Sequence, residues 1–342
     1  MCLDFSSNNT ITGNNASNNN KNGIYLGYFC NNRVIYLRYS SNNNTITGNN
    51  VSNNKYGGIC LDFSSNNTIT GNNASNNNKN GIYLGYSCNN RITNNTCSHN
   101  VDSGIDLRDS SNNSIMNNTC KDNMSDSIDL GYSNNNSIVK NTCTKNDRGI
   151  SLWASSNNYV TSNNCSVNRN EGLCLEYKST KNSILDNTCL NNKEGIALES
   201  SAYNNISYNT CSHNKNGILI FEASTNNCIS NNNCSNNGEG IFIWLSNNNL
   251  IHCNNFINNY YNVDSGGSTN TWHSPEELTY TYNGSTCKSY LGNYWDDYEE
   301  TDADGDGIGD THYSIDSKKD ESDDHPLMKP FENYVLTISA PA

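Results

Sequence analysis

Long apolar runs are missing from this 342-residue chain: hydrophobic residues make up 33% of it, and no stretch approaches the length of a membrane span. A conventional globular core, drawn from a chain with nearly half its residues apolar, is excluded by the same shortage. Basic charge is scarce as well. Residues 1–295 hold 19 acids against 17 bases, so no basic stripe can neutralise phosphates or grip an anionic lipid surface, which excludes nucleic-acid and membrane-surface partners. The opening Met1-Cys2-Leu3-Asp4-Phe5 has neither the basic nor the apolar region of a signal peptide, so location must be inferred indirectly. A mere 4 prolines, sequons such as Asn15-Ala16-Ser17, Asn205-Ile206-Ser207 and Asn283-Gly284-Ser285, and an acidic loop of calcium type point to an extracellular or cell-surface protein.

What the chain has in excess is asparagine, 74 residues of it, and the excess is periodic. Ile11, Ile46, Ile69, Ile92, Ile115, Ile138, Val160, Ile184, Ile206, Ile229 and Ile251 recur mostly 22 to 24 residues apart. Five residues after each stands a small or apolar corner residue, first Ala16, Val51 and Ala74, then Cys97, Cys120, Cys143, Cys165, Cys189, Cys211 and Cys234, then Phe256. A third apolar pair, usually Gly-Ile-x-Leu as in Gly81-Ile82-Tyr83-Leu84, completes the repeat with the alternation of a strand. Asparagine sits two before, three after and eight after every ladder residue, as Asn113, Asn118 and Asn123 do around Ile115. Identical amides stacked about 4.8 Å apart can each donate to the next and accept from the last. Three short strands per repeat, no helical period and too few residues for a βαβ crossover predict an all-β, single-stranded parallel β-helix of about 11 coils over residues 1–271.

The seven cysteines of the corner column replace alanine and valine, which is the behaviour of a small buried hydrophobe, and they are expected to be reduced and unreactive. The 6 histidines, His99, His213, His252 and His273 among them, form no His-x-His or His-Glu-x-x-His grouping, and no Met/His/Cys spacing of soft-ligand character appears outside the column; copper is therefore not supported by the residues.

Residues 296–324 hold 13 of the 33 acids. Asp302, Asp304, Asp306, the Ile308 carbonyl and Asp310 match positions 1, 3, 5, 7 and 9 of a helix-loop-helix calcium loop, with Gly307 at the sharp turn and Tyr313 where the bidentate glutamate belongs. Calcium is the cofactor these hard oxygens favour. Trp272, Tyr280, Tyr282, Tyr290, Tyr294, Trp295 and Tyr298 lie between the last coil and this loop, and residues 272–342 are read as an aromatic cap that hides the final strand edges. On the coils, Asp106 with Asp129 and Glu176 with Glu199 form carboxylate pairs about 5 Å apart by strand spacing, expected to be solvated surface charges because Arg108 and Asp109 are the only arginine–carboxylate neighbours in view. Outward Tyr25 and Tyr83, with Tyr28, Tyr86 and Phe242, would favour ligand binding if they form an aromatic stripe beside these polar residues.

At Ser64-Ser65-Asn66-Asn67-Thr68-Ile69-Thr70-Gly71-Asn72-Asn73 followed by Gly81-Ile82-Tyr83-Leu84, and again at Gly292-Asn293-Tyr294-Trp295-Asp296-Asp297-Tyr298 and Asp324-His325-Pro326-Leu327-Met328, the sequence resembles the periplasmic copper-binding NosD family, in its archaeal cell-surface form. The resemblance implies a right-handed β-helix outside the cytoplasmic membrane. The expected function is to bind or organise carbohydrate or another surface polymer such as an envelope glycan without catalysis, with a purely structural or adhesive role as one alternative and a polysaccharide lyase or glycoside hydrolase as another. Residues 2–33 repeat residues 60–91 except that Phe29 stands for Ser87, and the interval from Ile11 to Ile46 is 35 residues. The N-terminus is therefore expected to be truncated, with coils before about residue 41 irregular and an uncapped edge open to self-association.

Overall fold

Within each Gly-Ile-x-Leu segment the alternation of a strand puts isoleucine and leucine on one side, and that side is the interior: Ile105, Leu107, Ile128 and Leu130 are fully buried. The computed structural model describes residues 2–4, 7–18, 35–38, 40–316, 319 and 321–337. Through them these segments stack in parallel as a sheet of twelve strands from Cys2–Asp4 to Tyr261–Gly266, here the long face. The ladder isoleucines centre three-residue strands that form a second sheet of eleven, from Thr10–Thr12 to Leu250–His252. Like residues meet in register, Ile115 between Ile92 and Ile138. The third side is strand only in parts: Thr119–Lys121 beside Thr142–Thr144, and a run from Thr188–Leu190 to Asn255–Ile257 that closes on Tyr294–Trp295. Thr10–Thr12 pairs with Thr45–Thr47 and Cys2–Asp4 with Ile35–Arg38, so Ile11 and Ile46 are direct neighbours in register and not two coils apart. Met1, Tyr28, Phe29 and Val34 lie outside the described residues.

The asparagine ladders run inside the corners. Asn118, almost fully buried, donates its backbone N–H and its Nδ2 to Asn141 Oδ1 at 2.9 and 3.0 Å and a second Nδ2 hydrogen to the Ile92 carbonyl at 2.9 Å. Its own Oδ1 accepts from Asn95 N and Nδ2. Every polar atom of the side chain is thus used, and the same pattern repeats from coil to coil. A serine column, unforeseen in the sequence, serves a fourth line: Ser133 Oγ accepts from Ser110 N at 3.0 Å and donates to the Gly131 carbonyl at 2.9 Å. Other asparagines have a different task. Asn89, Asn112 and Asn135 hold φ of 56°, 59° and 56°, the left-handed region in which asparagine is among the least penalised side chains.

The cysteine column is interior throughout, Cys97 to Cys234 being fully buried, and no disulfide occurs among the described residues. The glycine before most of the long-face isoleucines is required by closeness: a Cβ on Gly104 would come within 2.9 Å of Cys120 Cβ and 2.7 Å of the Ser127 carbonyl. Because that glycine and its isoleucine both face inward, the residue ahead of the glycine is turned out onto the long face.

At the C-terminal end the ladders finish on carboxylates. Asn249 donates to Asn270, whose N–H donates to Glu321 Oε1; Asn254 donates to Asn293, whose N–H donates to Asp323 Oδ2; and Asn237 donates to Asn259, which donates to Asn262, which donates to Asp296 and Asp297. Glu321 and Asp323 belong to one strand, Glu321–Asp323, and also accept the indole N–H groups of Trp272 (2.9 Å) and Trp295 (3.0 Å). Trp295 stacks on Phe256 of the last coil at 4.5 Å and on Tyr313 at 4.4 Å, closing the apolar interior.

Candidate functional site

Outward positions of the long face form three rows, and between about residues 80 and 200 these rows carry charge. Asp126, Arg148 and Glu171 precede the inward turn; Asp106 and Asp129 lie between the inward residues; Arg108, Trp153 and Glu176 end their strands. Stacking brings together groups 20 to 30 residues apart. Arg108 Nε meets Asp106 Oδ1 at 2.9 Å while its Nη2 bonds Asp129, and Arg148 meets Glu171 Oε2 at 3.3 Å and Glu176 Oε2 at 2.8 Å. Gly131 leaves the space the Arg108 guanidinium crosses, since a Cβ there would collide with it. Between the two arginines opens a cleft of about 280 Å³ lined by Asp126, Asp129, Asp147, Glu176 and Trp153, among others.

Of the carboxylates expected to be solvated surface charges, Asp106 is buried and Asp129 and Glu176 are half-buried against arginines, so the expectation is corrected for these three, whereas Glu199 is exposed. Asp106 is 8% exposed and Asp126 6%. Burial, against the pull of Arg108, pushes the Asp106 carboxyl up to about 7, and burial helped by Asp129 does the same for Asp126, against Arg148. The Asp126 carboxyl makes no hydrogen bond or ion pair with the described residues. Arg108 engages Asp106 and Asp129, whereas Asp109 is exposed at φ 48° on the adjoining corner. Arg148, Asp126 and Trp153 escaped the sequence reading because only the coil register assembles them. Glu199 lies beside Glu176 but is exposed and outside the cleft.

An aromatic rail borders the cleft. Trp153, 40% exposed, stacks on Tyr177 at 5.0 Å and 12°, and further along Phe63 stacks on Tyr86 at 4.7 Å and 8°. Phe63, Tyr86, Tyr132 and Tyr177 all hold φ between 46° and 52°. Bulky side chains in that region cost of order 1 kcal/mol each, strain characteristic of functional surfaces. Tyr83 lies half-buried in the row between Cys60 and Asp106 rather than on the rail, and Tyr25 falls outside the described residues.

In the acidic loop, ligand oxygens of Asp302, Asp304 and Asp306 lie within 4.8 Å of one another. Asp302 accepts from the N–H groups of Gly305, Asp306 and Gly307, which curls the loop; Tyr280 donates to the Asp306 carbonyl at 3.1 Å and ties it to the cap. Asp310 Oδ2 instead accepts from Ala303 N and Thr301 Oγ1, apart from the three-aspartate group, and Ile308 pairs with Leu327 beside it.

One further cluster crosses coils: Cys228 Sγ lies 4.0 Å from His252 Nε2, and His252 Nδ1 lies 3.3 Å from Cys253 Sγ. No spacing in the sequence shows this trio, because Cys228 and His252 meet only where one coil stacks on the next.

A family model described as periplasmic copper-binding protein (NosD) matches residues 122–300, just over half of the chain, and one for a right handed beta helix region matches residues 28–165. No curated protein matches. Among solved structures, the A-module of the mannuronan C-5 epimerase AlgE6 of Azotobacter vinelandii is 13% identical over 70% of this chain and 78% of that one, with a TM-score of 0.59. The Dettilon tailspike protein is 15% identical over 76% and 59%, with a TM-score of 0.54. At such identities the likeness is one of fold: an all-β, right-handed parallel solenoid. No helix among the described residues is long and apolar enough to cross a membrane.

Proposed function

The chain belongs to the NosD family of β-helix proteins, and from that premise we propose that it is a cell-envelope or secreted scaffold that binds polysaccharide along the long face without cleaving it. The observation that carries this reading is the juxtaposition of the Trp153–Tyr177 stack with the Arg108–Arg148 cleft. Sugar rings present apolar faces that stack on exposed aromatic rings, while carboxylates and guanidinium groups take the hydroxyls. A polymer lying along the axis meets a new coil about every 4.8 Å, close to the rise of one sugar. The cleft holds Asp126, Asp129, Asp147 and Glu176 against two arginines, a balance that favours neutral or amino-sugar chains over uronates. Hydrolysis is disfavoured because Arg108 bridges Asp106 and Asp129, leaving neither free as the acid or nucleophile of a glycosidase. The fold-level neighbours, an epimerase named for mannuronan and a tailspike protein, are in keeping with a glycan partner.

Calorimetry with chitosan, cellulose and alginate oligosaccharides tests it. Chitosan or cellulose oligomers should bind more tightly than alginate, and Trp153→Ala and Arg148→Ala should each weaken binding about tenfold, equivalent to about 1.4 kcal/mol. Binding unaffected by both substitutions, or release of shortened products, would refute the reading.

In the same proposal calcium occupies the Asp302–Asp304–Asp306 group and stiffens the loop. Hard carboxylate oxygens suit calcium and not copper. Chelation should then speed proteolysis within residues 299–312, and Asp304→Ala should abolish both that response and the heat of calcium binding; an unchanged digest would leave a solvated turn.

A further inference from the structure

Beyond the Arg148 cleft the long face changes character. Its middle outward row, which holds Asp106 and Asp129 further back, becomes apolar over Ala197, Leu219 and Phe242 and ends on Asp264. The row that ends the strands runs from Trp153 through Glu176, Glu199 and Phe221 to Trp244. Trp244 therefore repeats Trp153 four coils further on, about 19 Å at the strand spacing, and is 44% exposed. Its indole leans over the next coil at Gly266, where a Cβ would come 2.4 Å from Cζ3 and 2.5 Å from Cε3. Beside the ring opens a cleft of about 550 Å³ that Asp264 and Asp316 help to line, with the cap strand Tyr313–Asp316 as its wall. Acid gathers on this edge of the track. Glu199 and Glu222 are exposed, and partial burial together with the carboxylates of Glu176 and Glu222 holds the Glu199 carboxyl above its ordinary range. The basic residues of the same coils, Lys193 and Lys215, stand at the other end of their strands, where Lys193 Nζ lies 3.7 Å from Glu194 Oε1.

Resting on the glycan reading, we propose that Trp244 is a second sugar platform and that the track between it and Trp153 selects chains carrying free amino groups, a polyglucosamine. A pyranose ring sets its apolar face on an indole, and an ammonium group beside it is attracted both by the π face and by carboxylates. At one sugar per coil, five sugars reach from Trp153 to Trp244. Such a chain crosses the Ala197, Leu219 and Phe242 strip with its apolar faces and brings its amines to Glu176, Glu199 and Glu222, whose mutual repulsion they relieve. A uronate chain would add to that repulsion, and a neutral chain would leave it as it is.

The test is calorimetry on the folded full-length chain with glucosamine oligomers of three and six units, and with the six-unit N-acetylglucosamine and cellulose oligomers for comparison. A trimer reaches only one platform, so two should bind per chain; a hexamer spans both, so one should bind, at least about tenfold more tightly. Trp244→Ala should cut trimer binding to one per chain and erase the hexamer's gain, and Gly266→Ala should do the same by pushing the ring off the next coil, with both variants melting as wild type does. The acetylated and cellulose hexamers should bind at least about tenfold more weakly than the free amine, a gap that added salt narrows. One trimer per chain in wild type, or a hexamer that gains nothing over the trimer, would overturn the second platform while leaving the Trp153 site in place. Equal affinity for the acetylated hexamer would overturn the selection of free amines. No binding by any oligomer would refute the glycan reading itself, and the second platform with it.

Discussion

Replacing Asn118 by alanine should destabilise the solenoid by about 3 kcal/mol or more, with Asn112→Gly neutral to within about 0.5 kcal/mol, although both residues are asparagines of the same coil. Asn118 is buried, and its removal strands Asn95 N and Nδ2 without an acceptor and leaves the Ile92 carbonyl short of a donor. Each buried group left unsatisfied costs about 1–3 kcal/mol. Asn112 is exposed and serves only through its left-handed φ of 59°, which glycine adopts at least as easily. Because a solenoid coil touches only its neighbours, the loss should be local: hydrogen exchange should quicken around residues 90–145 before the ends respond. Equal denaturation midpoints for the two variants would mean that the ladder is ornament, with strand pairing alone holding the coils.

That contrast marks what the sequence makes legible. Ile115, Cys120 and Asn118 recur at a spacing set by one coil, and their roles are local to that coil, so counting along the chain recovers strands, corners and interior. Asn112 looks identical to Asn118 on the page; only the turn of the backbone separates a hinge from a ladder. The long-face cleft is less legible still. Asp106, Arg108, Asp129, Arg148 and Glu176 sit on successive coils, and which of them touch depends on register and on the inward glycine bend that turns Arg148 outward. Spacing placed Asp106 beside Asp129 but could not show the guanidinium between them. In the acidic loop the pattern found the three aspartates that converge, while Asp310 is drawn off by Ala303 and Thr301, a competition between backbone and metal geometry that no motif encodes.

Asp323→Ala should uncouple the C-terminal cap from the last coil. An asparagine ladder has direction: each amide donates towards the C-terminus, so the final member presents N–H groups that need an acceptor, and a carboxylate has only acceptors to offer. Asp323 meets that need for the ladder ending at Asn293. It takes the Asn293 N–H at 2.8 Å, the Trp295 indole at 3.0 Å and the His325 N–H at 3.1 Å while fully buried. Gly292 makes the approach possible, since a Cβ at that position would overlap the carboxylate. Alanine removes the acceptor from three buried donors at once, a loss of several kcal/mol concentrated on the segment that covers Phe256. Asp323→Asn should be milder but still damaging, because its amide can accept on one side only and must turn a donor towards either Trp295 or His325. The expected result is a two-step melt in Asp323→Ala, with Trp295 fluorescence shifting to the red well before the strands of the long face lose their circular dichroism. A single transition at the wild-type temperature would show that stacking of Trp295 on Phe256 and Tyr313 holds the cap without the ladder's terminal acceptor.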